Sequence, residues 1–237
     1  MIGELDAPAP GGQDRPIGQW VSFLEDVRAR GFSPRGVLDI GAHRGDWTRV
    51  TRSIWPRARF LMIEPQPEMQ ESLERVCREL EGVGYVLAGA GCRREERIQT
   101  IWEDLAGSSF LPVPDEAMLA AGRQRPAPLV TVNSLLEERP DLRPDLVKLD
   151  VQGYELEVLR GSGKCFGVTE LFIVETSLYA FLPGNPLCRE VIDFMADQGY
   201  ELYDITEYYR RPADGALGQI DLAFALRRGM LRSHDRW

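Results

Sequence analysis

Short apolar runs alternate with amphipathic stretches along most of the chain. Short apolar runs bounded by glycine, proline or polar residues are typical of buried strands. They predict strands over residues 37–40, 59–64, 85–88, 97–102, 129–132, 146–150, 169–175, 201–205 and 219–226. Apolar residues at helical spacing predict helices over residues 17–30, 46–55, 67–80, 133–138, 154–160 and 186–198.

This alternation of strands and helices favours an α/β fold, with a mostly parallel sheet and helices on both faces. Right-handed crossovers then bring the carboxyl ends of the strands to one edge of the sheet, where open α/β sheets bind their ligands. The last two predicted strands leave no room for a crossover helix between them, so the last strand is expected to run antiparallel. The acids that end predicted strands, and so meet at this edge, are Asp39, Glu64, Asp150 and Glu175.

Residues 103–128 interrupt the alternation with several prolines and only a short helical stretch near Met118. A long irregular segment in a compact domain is often functional, so this insertion is either part of a lid or substrate wall or a surface elaboration. Residues 1–35 are interpreted as an N-terminal tail and helix, with the helix as a candidate lid. Residues 36–226 form the predicted main domain, which contains the insertion, and residues 227–237 a C-terminal tail.

The turn after the first predicted strand carries a specific local pattern. Asp39 is followed by Ile40, Gly41 and, after three further residues, Gly45. Glycines let the backbone turn sharply and let a ligand approach closely, and the next helix directs free N–H groups at the turn. This pattern resembles the nucleoside-binding turn of S-adenosylmethionine (SAM) methyltransferases, whereas the G-x-G-x-x-G spacing of NAD sites is absent. Glu64, at the next strand tip, suits the ribose hydroxyls, with a helix cap or a loop acid as the alternatives.

A longer resemblance covers residues 145–161, DLVKLDVQGYELEVLRG, which are similar to the signature segment of the FkbM-type methyltransferases. Residues 108–109, 130–136 and 219–224 also agree with that family, and the similarity extends from about residue 36 to residue 226. The resemblance implies the class I methyltransferase fold, which is Rossmann-like with a mostly parallel seven-stranded sheet and an antiparallel last strand. It also implies SAM as cofactor and a hydroxyl acceptor on a small molecule from natural-product or sugar chemistry.

The same resemblance implies roles for individual residues in holding the cofactor. They are Asp39, Gly41 and Gly45 for the methionine part of SAM, Ala42 as a further cofactor contact, Glu64 for the ribose, Ala90 for the adenine, and Ser109 as a cofactor or substrate contact.

An alcohol acceptor must lose a proton, so a base near the transferred methyl group is expected. Asp150 is one candidate; its alternatives are holding a divalent ion with Glu175 or Gln152, or capping the turn at Gly153. His43 is the second candidate because its ordinary pKa lies near neutrality, with capping or orienting the turn as its alternative. No Asp-x-Asp or Asp-Asn pair follows Asp150, so no required metal is predicted.

Lys148 lies among apolar residues within a predicted strand. A buried ammonium group needs a partner, so Lys148 is expected either to pair with an acid such as Glu175 or to lie exposed at a sheet edge. The ion pair is the preferred interpretation, and a substrate contact is the minor one.

The charge and composition of the chain disfavour some classes of substrate and partner. The formal net charge of −9 disfavours a polynucleotide substrate, because nucleic-acid binders present a basic face. The four cysteines form no C-x-x-C pair, and we find no apolar run of the signal-peptide or membrane-spanning type. We therefore expect a cytoplasmic protein that acts on a small molecule, with no membrane partner. The oligomeric state is left open, with a homodimer as one alternative.

Two other hypotheses belong to different classes of function. One is a non-catalytic SAM-binding or scaffold protein that has kept the fold, since a fold does not fix a function. The other is a nucleotide-dependent oxidoreductase, which the glycine spacing of the turn does not support.

Overall fold

A seven-stranded sheet lies at the centre of the computed structural model, which describes residues 15–234. The strands of the described chain are β1 (Gly36–Ile40), β2 (Arg59–Glu64), β3 (Val83–Leu87), β4 (Gly89–Ala90), β5 (Glu95–Thr100), β6 (Gln124–Val130), β7 (Pro144–Leu149), β8 (Leu171–Ser177), β9 (Tyr200–Arg210) and β10 (Leu217–Leu226). The α-helices are α1 (Trp20–Ala29), α2 (Asp46–Ile54), α3 (Gln70–Glu79), α4 (Glu116–Ala120), α5 (Val132–Glu138), α6 (Glu155–Arg160) and α7 (Cys188–Asp197).

The strand order of the large sheet is β3-β2-β1-β7-β8-β10-β9. Neighbours from β3 to β8 run parallel, and β10 is antiparallel to both β8 and β9. The predicted α/β fold with an antiparallel last strand is therefore confirmed. The chain builds outward from β1 to β3 and returns to the other side of β1 with β7. This reversal leaves a crevice beyond the carboxyl ends of β1 and β7, where doubly wound sheets bind ligands.

Both faces of the sheet are covered by apolar layers. Alternate residues of a strand point to opposite faces, so Val37 and Leu38 of β1 belong to different layers. The Leu38 layer includes α5, α6 and α7, while the Val37 layer includes α1 and the end of α2. All five residues of β1 and all seven of β8 are buried, as expected for central strands covered on both sides.

Helix α1 is part of the core in this structure. Its residues Phe23, Leu24 and Val27 are fully buried and belong to the same apolar cluster as Val37 and Ile173 of the sheet. No residue of α1 lines the cavity described below. The interpretation of this helix as a lid therefore does not fit its position. Residues 1–14 of the predicted N-terminal tail lie outside the described residues.

The insertion contains more regular structure than its sequence predicts. β6 begins at Gln124, inside the segment interpreted as irregular, and forms a small three-stranded sheet of order β4-β6-β5. Pro126 and Pro128 argue against a strand because proline has no N–H to donate. They are tolerated because β4 pairs only with Leu129 and Val130, which leaves one side of β6 without a partner strand at both prolines.

The position of α1 leads to a stability prediction. Phe23→Ala is expected to lower the free energy of unfolding by about 3–5 kcal/mol, because it empties a buried site in the core. Urea unfolding of the purified variant measures this loss. Glu25→Ala, on the exposed side of the same helix, is the matched control and is expected to cost less than about 0.5 kcal/mol. Equal small losses in both variants would mean that α1 is not a core helix.

Candidate functional site

A cavity of about 510 Å³ lies at the carboxyl ends of the parallel strands. Its wall is formed by the turns after β1 and β7, the tips of β2 and β8, the facing ends of β9 and β10, and residues between 104 and 110 of the insertion. Of the residues predicted for the site, the wall contains Gly41, His43, Glu64, Ala90 and Asp150. The predicted residues that are not part of the wall are Asp39, Ala42, Gly45 and Ser109.

The turns after β1 and β7 touch each other at Gly41. Gly41 has a φ of 81°, in the left-handed region, and its N–H donates to the carbonyl oxygen of Ile63 at 2.9 Å. A Cβ at this position would overlap the carbonyl oxygen of Asp150. Only glycine therefore allows both the turn and the contact that holds Asp150 beside it.

Gly45 and Ala42 support the turn from behind. Gly45 precedes α2 with a φ of 81°, and a Cβ there would lie 2.9 Å from Val76 and 3.0 Å from the sulfur of Met62. Ala42 is buried in a cluster with Met62, Leu73 and Val76. These two small residues let α3 and Met62 of β2 lie close against the turn.

Asp39 lies beneath the same turn and is fully buried. Its Oδ2 accepts a hydrogen bond from the Thr48 hydroxyl at 2.7 Å, and its Oδ1 lies 3.9 Å from the Lys148 ammonium. Burial raises the pKa of Asp39, although the Lys148 charge and the Thr48 hydrogen bond act in the opposite direction. In this structure Asp39 thus joins β1 to α2 and β7 from below the cavity.

Glu64 connects the first turn to the tip of β2. Its Oε2 accepts the His43 N–H at 2.8 Å, and its Oε1 accepts the Gln66 N–H at 3.0 Å. Burial raises its pKa, while these hydrogen bonds lower it. The side-chain amide of Gln66 also donates to Oε1 at 3.2 Å, so the acceptor capacity left to this carboxylate on the cavity wall is on Oε2.

Lys148 lies on β7, in the middle of the sheet, and not at an edge. Its Nζ is 3.1 Å from Asp150 and 3.9 Å from Asp39, so the ion pair is formed with these acids and not with Glu175. Burial by itself would lower the pKa of Lys148, but the charges of Asp150, Asp39 and Asp221 together raise it. The ammonium group therefore stays charged and fixes both carboxylates.

Gln152 joins the two acids that follow β7 and end β8. Its Nε2 donates to Asp150 at 2.8 Å and to Glu175 at 2.9 Å, and its φ of 55° is in the left-handed region. The Ser109 hydroxyl donates to the Gln152 carbonyl oxygen at 2.6 Å, which explains why Ser109 is buried behind the wall. Its neighbour Ser108 lines the cavity instead.

Burial and the nearby carboxylates Asp150 and Asp221 raise the pKa of Glu175 well above its usual range. Burial would also raise the pKa of Asp150, but the Lys148 charge and the hydrogen bonds from Gln152 and Lys148 outweigh it, so that pKa lies below its usual value. Of these two neighbouring carboxyl groups, Asp150 is therefore the one that loses its proton more readily.

The turn after β7 is capped by Glu155, the first residue of α6. Its Oε1 accepts the N–H groups of Gly153 at 3.0 Å and Val151 at 3.2 Å. The proposed alternative for Asp150, capping the turn at Gly153, is therefore wrong. Asp150 keeps 32% of its side chain exposed at the cavity, which leaves it accessible to a ligand.

His43 lies on the wall with a φ of 48°. Its backbone N–H is bound to Glu64, and its buried Nε2 has no hydrogen-bond partner among residues 15–234. Burial and the charge of Arg44 lower its pKa, so the imidazole is neutral near pH 7. A neutral ring with a free nitrogen is able to accept a proton.

The wall divides into two halves of different character. The side next to β1 and β2, termed the apolar half, contains Ile40, Ile63, Ala90 and Phe110, with Glu64 at its edge. The side next to β7 and β8, termed the polar half, contains Asp150, Gln152, Glu175, Tyr209 and Gln219. Phe110 and Gln219 were missed as site residues. An aromatic or amide side chain outside a motif carries no local signal of its own.

Residues 15–234 contain neither a cluster of metal ligands nor a membrane-spanning helix. Within residues 15–234 no group of three His, Cys, Asp or Glu side chains is arranged to hold a metal ion. The absence of a required metal remains a prediction. In the same part of the chain, no helix has both the length and the apolar character needed to cross a bilayer.

Comparison with known proteins finds similarity in sequence and in structure. The sequence model described as "Methyltransferase FkbM domain" matches residues 39–202. No curated protein sequence matches the chain.

A solved FkbM methyltransferase from Methylobacillus flagellatus KT aligns with a TM-score of 0.51 at 15% identity, covering 81% of this chain and 44% of that one. The chain thus spans less than half the length of that protein. A putative rRNA methylase from Clostridium thermocellum aligns with a TM-score of 0.50 at 9% identity, covering 89% of this chain and 99% of that one. At these identities the structural likeness shows the class I methyltransferase fold.

The contact between the two turns leads to a second prediction. Gly41→Ala is expected to cost about 2–5 kcal/mol of stability, because left-handed strain adds to an overlap with backbone that cannot move aside. Gly199→Ala is the matched control: its φ is 86° but nothing lies within 4 Å of the added Cβ, so strain of about 1–2 kcal/mol remains alone. Urea unfolding compares them. If both variants lose the same stability, the close approach of Asp150 is not what requires glycine.

Proposed function

The chain belongs to the family of FkbM methyltransferase domains, and from that premise we propose that it transfers the methyl group of SAM to a hydroxyl of a small molecule. The observation that carries the proposal is the contact of the Gly41 turn with the backbone of Asp150. A methyl donor held at the turn would then lie beside an ionised carboxylate that reaches the cavity. A small-molecule acceptor, and not a nucleic acid, is supported by the wall, since none of its described residues is Arg or Lys.

The residues present suit SAM. Gly41 offers a wall without a side chain for the methionine part, and Glu64 offers its carboxylate Oε2 for a ribose hydroxyl. Ala90 and Phe110 form an apolar surface for the adenine. Asp39 would act on the cofactor indirectly, by holding the turn in place through Thr48.

SAM, when bound, supplies a methyl group that a sulfonium centre has already activated. The protein has to hold the acceptor oxygen in line with that methyl group. It also has to take up the proton that the acceptor hydroxyl loses. Asp150 would accept the proton, because its carboxylate is ionised and reaches the cavity. Lys148 fixes its orientation from behind and Gln152 fixes it from the wall beside it, so little reorganisation is needed when the acceptor binds.

His43 is a second candidate base. Its Nε2 lacks a partner in the described chain and its lowered pKa keeps the ring neutral. Loss of turnover in His43→Gln, with turnover retained in Asp150→Asn, would assign the proton transfer to the imidazole.

The cofactor assignment predicts a loss of SAM affinity in Glu64→Gln. Replacing a carboxylate that accepts hydrogen bonds from the ribose removes charge-assisted bonds of about 1.5–3 kcal/mol, so the Kd for SAM should rise roughly tenfold to a hundredfold. Isothermal titration calorimetry measures it. Glu68→Gln, whose carboxylate binds Arg125 outside the cavity, is the control and should bind SAM like the parent protein. An unchanged Kd in Glu64→Gln would remove Glu64 from the cofactor site.

The base assignment predicts a different pattern in Asp150→Asn. Turnover should fall about 10²- to 10⁴-fold, while the Kd for SAM changes by less than about threefold, because the lost carboxylate acts on the acceptor proton. Formation of S-adenosylhomocysteine on a panel of hydroxylated small molecules measures turnover. Asp145→Asn, at the other end of β7 and paired with Arg35, is the control. SAM binding without methylation of any compound in a broad panel would favour the non-catalytic SAM-binding alternative.

A further inference from the structure

Three carboxyl groups form a row across the strands that border the polar half of the cavity. The strand register pairs Glu175 of β8 with Asp221 of β10, and Asp221 with Glu207 of β9. Directly paired residues of antiparallel strands project from the same face of a sheet. The acidic row, defined as Glu175, Asp221 and Glu207, therefore lies on one face, and its first member is part of the cavity wall.

The acidic row has no cation of its own in the described chain. The nearest ammonium, that of Lys148, already binds Asp150 at 3.1 Å and Asp39 at 3.9 Å. Asp221 is only 8% exposed, and its buried Oδ1 has no hydrogen-bond partner among residues 15–234. Burial, together with the nearby Asp150, raises the pKa of Asp221 to about 7. Carboxylates that face each other across neighbouring strands repel one another, and within residues 15–234 none of the three acids of the row forms an ion pair. A bound cation would therefore stabilise the acidic row.

The sulfonium of SAM, held at the Gly41 turn, is too far from Asp221 to be the positive partner of that residue. The proposed donor site lies at the end of β1, and Asp221 lies on β10, three strands away in the order β1-β7-β8-β10. At about 4.8 Å for each strand spacing, this separation is about 14 Å. The positive charge that fits the acidic row must come from another molecule in the polar half.

The residues of the polar half indicate which functional groups that molecule carries. Beyond Asp150 and Glu175, it offers Gln219 and Tyr209, which face each other across β10 and β9. With carboxyl groups and no Arg or Lys on the described wall, the cavity repels phosphate and carboxylate groups and attracts ammonium groups. Gln152 binds both Asp150 and Glu175, so a hydroxyl at the first and an amine at the second would be close together in the acceptor.

We infer that the methyl acceptor is an amino alcohol or amino sugar, whose protonated amine binds at Glu175 with Asp221 behind it while its neighbouring hydroxyl meets Asp150. This inference rests on the proposed methyl transfer to a hydroxyl. It narrows the acceptor from any hydroxylated small molecule to one with a positive charge near the reacting oxygen.

The test uses methylammonium chloride as the probe for the amine site. The full chain, labelled with ¹⁵N and saturated with S-adenosylhomocysteine to fill the apolar half, is titrated while backbone amide shifts are recorded. Saturable shifts are expected at Glu175, Gln219 and Asp221, beyond those caused by potassium chloride at the same ionic strength. Asp221→Asn and Glu175→Gln should each weaken binding about tenfold or more, because a buried carboxylate partner of the cation is lost. Asp193→Asn, an exposed acid of α7, is the matched control and should bind like the parent protein.

The outcomes separate this inference from the proposed function. Shifts no larger than those from potassium chloride, or equal affinity in the parent protein and in both variants, would overturn the amine site while S-adenosylhomocysteine still binds. A protein that does not bind S-adenosylhomocysteine but does bind methylammonium at Asp221 loses the proposed function and keeps the cation site. Thermal unfolding and S-adenosylhomocysteine affinity of the two variants show whether they are folded. If only one variant is folded, its affinity for methylammonium decides between these outcomes.

Discussion

The buried ammonium group of Lys148 is the interaction on which the site depends. It lies on a central strand, in register with Asp39 of β1, and it reaches Asp150 just beyond the end of its own strand. Burying a carboxylate without a partner costs several kcal/mol, and here one cation serves two of them. The pairing holds the ends of β1 and β7 together and keeps Asp150 ionised at the cavity wall.

The strand order explains how the cavity acquires two different halves. β1 and β2 contribute apolar residues and Glu64, while β7 and β8 contribute the charged network around Gln152. The reversal between β1 and β7 brings Gly41 against Asp150, although more than a hundred residues separate them in the chain. The proposed donor site and the proposed acceptor site thus share one wall, which suits group transfer between two bound molecules.

Predictions from the sequence hold best for the central strands, because burial on both faces leaves continuous apolar runs that are easy to read. They fail where tertiary contacts override the local signal. Pro126 and Pro128 lie in a strand because its other side has no partner there. Helix α5 begins at Val132, one residue before its predicted start, and its N-cap is Thr131, whose hydroxyl accepts the Ser134 N–H at 2.9 Å. The apolar stripe of α1 predicts a helix, but the stripe alone does not say what it covers.

The sequence by itself determined the α/β class, the glycine turn, the acids at the strand tips and the family resemblance, because each of these is written in residues that are near one another in the chain. Only the tertiary structure decided which acids face the cavity. Asp150 and Glu64 lie on its wall, Asp39 lies beneath it, and Glu155 caps a turn. The ion-pair partners of Lys148 and the acidic row that includes Asp221 could likewise not be predicted from the sequence. Alternation assigns residues to two faces of a strand, but the neighbours on each face follow from strand order and register, which depend on pairing between distant segments.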